Sequence, residues 1–441
     1  MKLLNDNYKI VISILIFLSF SSFFLGFYFD ENSAGAGGLY GDFSLNWSNL
    51  QIFLNNDLIT AINYTDGSDP DNFYQSSRPP LVYILHKLFN PFLGTEISFR
   101  RSVFIISLSG PVLFYFCLKQ KFKKEDNLLL LLIASLILLS PYYRTSSYWA
   151  LDENYSFISL LITFLLLNKF LEPKEEQDGY KIYFQLLLLT FFSSLCIYFD
   201  PKLLIIPIIC FFKIITSKKI LRLKIFSILF YLMFSLPYIY LIILWDNLIV
   251  PTFAEGRGVG SGLFLGNIGY LSTMIAFYLF PLLLFKEKNL INLIKIFFSY
   301  KKSYFLISLF FVYLFYLLNF YDFEGQAMIG KGFVHKFSLI LFQDYFLQKI
   351  FIYFSFFISW VIILIFIDRN IQDSLILLYF FLISIIQSWL LQEYIDPLIL
   401  IMAFTFFSSQ LFIKYKNSIF LYCYLSILLI SSNIYYLNLI K

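Results

Sequence analysis

The residues of this chain that are suited to acid–base or phosphate chemistry fall at the ends of its long apolar segments or between them. Three acids stand near the start: Asp30 and Glu31 end the first apolar segment, and Asp42 follows a glycine-rich stretch. A carboxylate can accept a proton, whereas arginine, lysine and histidine bind phosphate through charge-assisted hydrogen bonds. The candidate cations and further acids come later in the chain: Arg78, Arg144, Asp152, Glu153, Arg257, Lys331, His335 and Glu393.

The composition limits the class of protein. Of 441 residues, 59% are hydrophobic and only 14% are charged, a balance that no water-soluble domain of this size has. Apolar runs of about 18 to 22 residues recur along the chain, long enough to cross a hydrocarbon core of about 30 Å, and in lipid they must be helical. The sequence therefore predicts an all-α polytopic membrane protein. About thirteen transmembrane helices are expected, near residues 9–29, 99–118, 127–143, 155–171, 181–199, 202–217, 224–245, 263–285, 303–321, 349–367, 373–391, 396–413 and 418–438.

The charged residues indicate how these helices are oriented. With the amino terminus inside, roughly two-thirds of the Lys and Arg residues fall on the inner side and most acids on the outer side, as the positive-inside rule requires. Membrane orientation thus explains the net charge of +5, and no nucleic-acid partner is predicted. The first span lacks a small-residue cleavage site and is expected to remain as a signal anchor. The four cysteines lie in apolar spans without metal-ligand spacing, so we predict neither a metal site nor a cofactor.

Residues 30–98 form the one long outer loop, and their pattern predicts ordered structure. From Trp47 to Ile62 apolar residues recur every three to four positions, which predicts a helix lying in the membrane interface. The stretch from Leu81 to Phe92 is too short to cross the membrane and predicts a second interfacial helix. Asp42 stands just before the first of these helices, where a residue can cap the helix and be held at membrane level.

The charged residues of this loop also have plain structural interpretations. Asp30 and Glu31 end a span, where carboxylates are common, and Asp42 could serve only as a helix cap. Arg78 precedes the second helix, where it could hold a lipid phosphate or simply extend its charge into water. Three further acids are expected to form turns: Asp66, Asp69 and Asp71.

The next outer loops repeat this choice between structure and function. Arg144 shares a short loop with Asp152 and Glu153, so a structural Arg144–Asp152 pair is one interpretation and substrate binding is the other. Asp200 and Asp396 each precede a proline at the start of a predicted span, which is typical of a helix start.

The second half of the chain supplies the last candidates. Arg257 and Lys331 lie among glycines in predicted outer loops, a setting that suits a bound phosphate. His335 follows Lys331 closely, and a lone histidine there is otherwise interpreted as a solvated loop residue. Glu393 adds an acid before Asp396 that helix capping does not require.

The order of these features resembles the GT-C superfamily of integral-membrane glycosyltransferases. A signal anchor leads into a long first outer loop with acids at its start, and an Arg-Pro-Pro-Leu run at 78–81 precedes the next span. The pair Asp30-Glu31 resembles the Asp-Glu of protein mannosyltransferases and lipid A aminoarabinose transferases. Gly41-Asp42-Phe43 resembles the Gly-Asp-Phe/Tyr of the ER glucosyltransferases.

The resemblance implies an inverting transfer of a sugar from a polyprenyl-phosphate donor to a glycan, lipid or protein acceptor on the outer face. A first-loop carboxylate, Asp42 or alternatively Asp30 or Glu31, takes the proton of the acceptor hydroxyl, and cations neutralise the departing phosphate. We expect two transmembrane modules, residues 1–245 and 246–441. The expected location is a bacterial cytoplasmic membrane, with membrane lipids around the protein and the site facing outward.

Two other functions are compatible with a polytopic chain. A polysaccharide or O-antigen polymerase also acts on lipid-linked sugars, but its dominant loop is expected late in the chain, whereas here the long loop comes first. A lipid or oligosaccharide transporter would carry substrate-lining charges at mid-membrane depth, whereas these charges gather at one interface. The sequence also lacks a Gly-Lys-Ser/Thr phosphate cradle, which disfavours an energised pump.

Overall fold

The structure is a computed structural model. It describes residues 2–34, 41–172, 179–217, 219–248, 262–287, 290–320, 330–368, 370–387 and 389–439. Every regular element in these ranges is a helix. The chain divides into two compact units, the first formed by residues 1–255 and 425–441 and the second by residues 256–424. The predicted modules 1–245 and 246–441 stay a prediction.

The first unit contains the long loop and the helices that flank it. Its helices are α1 (Lys2–Tyr28), α2 (Asp42–Asn55), α3 (Leu58–Asn63), α4 (Leu81–Phe89), α5 (Glu96–Ser107), α6 (Ser109–Lys121), α7 (Asn127–Ser135), α8 (Pro141–Tyr148), α9 (Glu153–Leu171), α10 (Gly179–Phe199), α11 (Ile205–Thr216) and α12 (Leu221–Trp245). Helix α10 packs between α9 and α12, and α6 packs against α9.

The second unit is built around one buried helix. Its helices are α13 (Gly266–Leu282), α14 (Leu290–Phe298), α15 (Lys301–Phe320), α16 (Gly332–Leu341), α17 (Tyr345–Ile367), α18 (Ile371–Ile385) and α19 (Leu398–Phe404). Helix α20 (Tyr415–Leu439) begins in the second unit and ends in the first. Helix α13 packs against α16, α17, α18 and α19, and a Cβ on Gly269 would lie 2.2 Å from the Phe356 ring of α17. Glycine at this position therefore allows the two helices to pack closely.

Nine helical segments among the described residues are long and apolar enough to cross a membrane, so the chain is a polytopic helical membrane protein. The predicted number of thirteen spans is not confirmed. The helices found within the predicted spans 202–217, 373–391 and 396–413 have only 12, 15 and 7 residues. At 1.5 Å per residue the longest of them reaches about 22 Å, short of the roughly 30 Å of hydrocarbon.

The predicted span near 127–143 is broken. Helix α7 and the 3₁₀ turn Leu136–Leu139 form its first part, and α8 turns away from it by 68°. Pro141 disfavours a helical Ser140, and Ser140 instead caps α8 by accepting a hydrogen bond from the Tyr143 N–H at 3.0 Å. The break directs α8 and its polar side chains away from the axis of α7.

The two helices predicted in the first loop are observed with different bounds. The helix predicted from Trp47 to Ile62 is two helices, α2 and α3, because Asn56 is extended and Asp57 caps a new helix by accepting bonds from the Ile59 and Thr60 N–H groups. The helix predicted from Leu81 to Phe92 is observed as α4.

Candidate functional site

Helix α2 is fixed to the turn between α8 and α9 by a chain of amide and hydroxyl groups. The Asn46 side chain donates a hydrogen bond to the Ala150 carbonyl at 3.2 Å, and the Tyr83 hydroxyl of α4 donates to Asn46 Oδ1 at 2.8 Å. Asn49 in turn donates to the Tyr83 hydroxyl at 3.3 Å. These hydrogen bonds therefore hold the first outer loop and the turn between α8 and α9 together.

Four charged residues gather where these loops meet, and we call them the open cluster: Asp42, Arg78, Asp152 and Glu153. Arg78 Nη2 lies 2.5 Å from Glu153 Oε1. The Ser146 hydroxyl donates to Glu153 Oε2 at 3.0 Å, so both carboxylate oxygens of Glu153 are bonded. The interpretation of Arg78 as a side chain that merely reaches water is wrong, because it pairs with a buried glutamate.

Asp152 lies beside this pair without a matching bond. The residue is only 3% exposed, and its Oδ1 atom has no hydrogen-bond partner among the described residues. Burial raises the pKa of Asp152 to about 7; Arg78 opposes this rise, whereas the carboxylates of Glu153, Asp200 and Asp42 add to it. Asp152 is thus a carboxyl group that can hold a proton near neutral pH.

Asp42 is the exposed member of the cluster. It is the first residue of α2, Gly41 takes the N-cap position, and no side chain caps the helix. The interpretation of Asp42 as a simple helix cap is therefore wrong. Protein around the carboxyl removes part of its hydration although the residue is exposed, and this desolvation, with the charge of Glu153, raises the pKa of Asp42 to about 6.

Arg78 has hydrogen-bonding capacity left over. A guanidinium has five N–H groups, and the side-chain hydrogen bond found for Arg78 among the described residues is the one from Nη2 to Glu153. The side chain is 19% accessible. Arg78 is therefore a cation held in place by Glu153, with N–H groups remaining for an anionic ligand.

A second arginine–glutamate pair in the same unit, which we call the closed pair, consists of Glu31 and Arg144. Arg144 Nε and Nη2 contact the two Glu31 oxygens at 2.9 and 2.5 Å. Nη1 donates to Ser22 Oγ and to the Leu138 carbonyl, and Nη2 also donates to the Ser22 carbonyl. All five N–H groups of Arg144 are bonded inside the protein.

The closed pair corrects one interpretation of the sequence. One of the two interpretations paired Arg144 with Asp152, its neighbour in the loop, but Arg144 pairs with Glu31 just after α1. A Cβ on Gly26 would lie 2.3 Å from Glu31 Oε2 and 2.6 Å from Arg144 Nη2, so glycine leaves the space that the pair occupies. The pair joins α1 to α8.

Asp30 is placed differently again. It follows α1 with a side chain that is 62% accessible, and it contacts Arg100 Nη2 at 2.5 Å. Arg100 lies 3.9 Å from the centroid of the Trp149 ring and donates to the Tyr148 carbonyl at 2.7 Å. Asp30 is therefore a surface partner of an arginine that is packed against the α8–α9 turn.

Two features beside the open cluster were not predicted as parts of a site. Asp200 forms a salt bridge with Lys202 at 3.2 Å, and its charge helps raise the pKa of Asp152. His86 Nε2 lies 2.5 Å from the Tyr155 hydroxyl in a buried contact. The Asp200-Pro201 start of a span was visible in the sequence, but nothing in the sequence pattern indicated the contact between α4 and α9.

The second unit contains three of the remaining predicted residues. Lys331 precedes α16, its Nζ lies 5.6 Å from the centroid of the Tyr270 ring, and burial lowers its pKa to about 8. His335, one turn later, also packs against Tyr270, and burial with the charges of Lys331 and Lys336 lowers its pKa to about 4. His335 is buried, so the interpretation of it as a solvated loop residue is wrong.

Glu393 and Arg257 complete the set. Glu393 lies in the 3₁₀ turn Gln392–Tyr394, close in sequence to Leu390, whose carbonyl accepts a bond from the Lys331 N–H at 2.6 Å. Arg257 lies outside the described residues. In the part of the chain that the structure describes, no group of three or more His, Cys, Asp or Glu residues is arranged to hold a metal ion. The chain matches no protein-family model, no curated protein and no solved structure.

Proposed function

We propose that this protein is a membrane glycosyltransferase of the GT-C type, with about thirteen membrane spans, that uses a polyprenyl-phosphate sugar. The observation that carries the proposal is the open cluster, in which an accessible carboxyl group with a pKa of about 6 shares a site with an incompletely bonded arginine. A base with a pKa near the working pH combines a useful ionised fraction with a useful affinity for the proton.

The chemistry assigns one role to each member of the cluster. Ionised Asp42 takes the proton of the acceptor hydroxyl while the hydroxyl oxygen forms a bond to the anomeric carbon. The bond from that carbon to the phosphate oxygen breaks, and its electron pair leaves with the polyprenyl phosphate. Arg78 neutralises the negative charge that develops on the leaving group. Attack opposite the phosphate inverts the anomeric configuration.

The other carboxylates of the cluster support this chemistry. Glu153 orients Arg78 through the 2.5 Å contact. Asp152 is the positioning acid whose protonation tunes the charge around Asp42. Asp30 and Glu31 are the alternative bases, and the bonds that hold them to Arg100 and Arg144 place them below Asp42 in this proposal. Lys331, His335, Arg257 and Glu393 remain predicted contacts of the donor or acceptor.

A transporter is the competing function, and the bend of 68° between α7 and α8 is the observation in its favour, because broken helices line the substrate sites of many carriers. Such carriers have broken helices in corresponding positions of both halves, and this is the one bent pair found within the described ranges. The arginine on α8 uses all its N–H groups inside the protein. The glycosyltransferase is therefore the better-supported function.

The proposal is tested with the purified full-length chain in lipid vesicles. The probes are undecaprenyl phosphates carrying radiolabelled hexoses or aminopentoses, offered with a bacterial lipid extract as acceptor. We expect label to move to an acceptor with release of undecaprenyl phosphate. A polymerase would instead lengthen diphosphate-linked oligosaccharides, and a transporter would move the labelled lipid to the other leaflet without cleaving it.

The predicted orientation, with the site on the outer face of a bacterial cytoplasmic membrane, is tested by cysteine labelling. In a variant whose four native cysteines are replaced by serine, single cysteines at Asn55 or Ser68 should react with a membrane-impermeant thiol reagent in intact cells. Cysteines at Lys123 or Lys219 should be protected until the cells are opened. The opposite pattern would place the open cluster in the cytoplasm and would contradict the proposed donor.

A further inference from the structure

A second polar site lies within the second unit, where the ends of three candidate spans meet. The span Gly266–Phe285 ends directly before Lys286, the span Tyr345–Ile367 ends directly before Asp368, and the span Tyr415–Tyr436 begins just after Phe412. These three residues line one cavity of about 300 Å³. Because it lies at the ends of spanning helices, the cavity stands at the depth of the lipid headgroups.

Lys286 is the cation of this cavity. Its Nζ lies 4.4 Å from the centroid of the Phe366 ring, and it forms no salt bridge with any residue that the structure describes. Burial lowers the pKa of Lys286, while the negative charges of Asp373 and Asp368 partly oppose that change. A half-buried ammonium that lacks an ion partner costs free energy, and an anionic group of a ligand would offset that cost.

A buried carboxylate holds part of the cavity wall in place. Asp373 is fully buried in the first turn of α18, where it accepts bonds from the Ser408 N–H at 2.7 Å and the Ser409 N–H at 3.0 Å. The Ser408 hydroxyl also donates to Asp373 Oδ1 at 3.1 Å. These bonds fix the segment that carries Ser408 and Ser409, both of which line the cavity. The wall is therefore preorganised.

The cavity also carries negative charge. Glu287 and Asp368 line it and are exposed, and neither forms a salt bridge with a described residue. Leu293 of α14 and Phe412 add apolar surface to the same lining. The site thus combines a cation, two acids, fixed hydroxyl groups and an apolar side at membrane depth.

We infer that this cavity binds the headgroup of a zwitterionic phospholipid with a primary ammonium. The phosphate lies at Lys286 and Ser409, and the ammonium lies at Asp368 and Glu287. An anionic headgroup brings no cation of its own, so it would leave the carboxylates of Asp368 and Glu287 without a partner in the ligand. A quaternary ammonium has no N–H group to donate to those carboxylates, so a choline headgroup binds more weakly. The apolar side accepts the start of an acyl chain.

The experiment measures lipid retained by the full-length protein after delipidation in detergent. Palmitoyl-oleoyl phosphatidylethanolamine is titrated against the matching phosphatidylcholine and phosphatidylglycerol, and bound lipid is counted by native mass spectrometry. Lys286→Gln should weaken phosphatidylethanolamine binding by tenfold or more. Lys295→Gln is the matched control, because Lys295 is an exposed lysine of the neighbouring α14 that does not line the cavity. Asp368→Asn should remove the preference for ethanolamine over choline.

A measurement on the unaltered protein protects the test against variants that fail to fold. Acylation of Lys286 by an amine-reactive reagent should slow at least fivefold relative to acylation of Lys295 in the same sample when phosphatidylethanolamine is added, and the ratio corrects for reagent that the lipid amine consumes. Inorganic phosphate and phosphatidylcholine should not slow it. Equal protection by inorganic phosphate would show a simple anion site, and equal protection by phosphatidylcholine would show contact without headgroup recognition. Either result, or equal lipid binding by the Lys286 and Lys295 variants, overturns the inference.

Discussion

The described part of the first unit contains two arginine–glutamate pairs that differ in what they leave unbonded. In the closed pair, Arg144 uses all five N–H groups on Glu31, Ser22 and a carbonyl. In the open cluster, Arg78 bonds Glu153 through one nitrogen, and its other N–H groups have no partner among the described residues. A saturated buried arginine fixes architecture, because any ligand would have to displace bonds that already exist. An arginine with spare N–H groups beside an accessible carboxyl can take part in binding.

The same difference separates the candidate bases. Glu31 is held by both arms of Arg144 and by the Asn433 amide at 3.1 Å, whereas Asp42 makes no side-chain hydrogen bond to a described residue. A carboxylate that already accepts several strong bonds is a poor base, because protonation would break them. The comparison therefore predicts that loss of charge in the open cluster affects turnover and loss of charge in the closed pair affects stability.

The largest effect is expected from Asp42→Asn, which keeps the shape of the side chain and removes its basicity. Loss of a general base costs about 10² to 10⁴ in rate, so transfer should collapse while the protein inserts and extracts normally. The measurement is kcat/KM for sugar transfer in vesicles. Asp71→Asn is the matched control, because Asp71 is an exposed acid of the same loop.

Asp30→Asn provides the comparison within the same assay. Asp30 is a largely accessible surface partner of Arg100, so its replacement should leave transfer within about a factor of three of the original rate. Abolished transfer with Asp30→Asn and normal transfer with Asp42→Asn would show that Asp30, and not Asp42, is the base. Normal transfer by both variants would contradict a first-loop carboxylate mechanism.

Arg144→Gln should give the largest loss of stability. It leaves Glu31 in its pocket without a cation, and removal of one partner of a buried pair costs about 3 to 5 kcal/mol. The free energy of unfolding is measured in mixed micelles, with the exposed Arg101→Gln as the control. Replacing both members, as Glu31→Leu with Arg144→Met, should recover most of the loss. A stable Arg144→Gln protein with weak donor binding would reverse the comparison.

Arg78→Gln should weaken donor binding, and it should also cost stability because it leaves the buried Glu153 without its cation. Loss of one charge-assisted hydrogen bond to the donor phosphate costs about 1.5 to 3 kcal/mol, which is roughly a 10- to 150-fold loss of donor affinity. Arg78→Lys should recover part of this affinity by restoring the charge.

The same donor-binding assay with Lys331→Gln and His335→Gln tests the predicted phosphate contacts of the second unit. Unchanged donor affinity in all of these variants would remove the electrostatic support for the proposal.

The pH dependence gives the smallest and most specific effect. Asp42 acts in its ionised form, so kcat/KM should fall about tenfold per pH unit below its pKa of about 6 and level off above it.

The pH dependence of stability should report on Asp152. Its pKa is raised to about 7, so the fold favours the protonated form of this carboxyl group. Its contribution to stability is therefore present below its ordinary pKa and is lost as the pH rises through 7. In Asp152→Asn this loss of stability between about pH 4 and pH 7 should be absent.

The sequence predicted the membrane class and most of the long spans because the length and hydropathy of a segment do not depend on how the helices pack. The number of thirteen spans is not confirmed where an apolar run contains a break. In the segment 202–217, the 3₁₀ turn Pro201–Leu204 uses four residues before α11 begins, and Asp200 caps that turn by accepting a bond from the Lys202 N–H. Length counted along the sequence does not reveal how many residues are helical.

The site was predictable in its residue types and not in its pairings. The sequence singled out Arg78, Arg144, Asp152 and Glu153, but proximity in the chain favoured an Arg144–Asp152 pair. The observed partner of Arg144 is Glu31, 113 residues away, and the partner of Arg78 lies 75 residues away. Such pairings depend on which helices pack together, and one sequence alone contains no record of that packing.

The segment from Pro141 to Glu153 contributes to both pairs, since Arg144 lies near its start, Ser146 follows on α8, and Glu153 ends it. One residue added to α8 would rotate the rest of that helix by about 100° about its axis. Arg144 would keep Glu31, but Ser146 would turn away from Glu153, the residue that orients Arg78. The length of this short stretch should therefore be essential, and an inserted alanine after Thr145 should abolish transfer in a protein that still folds.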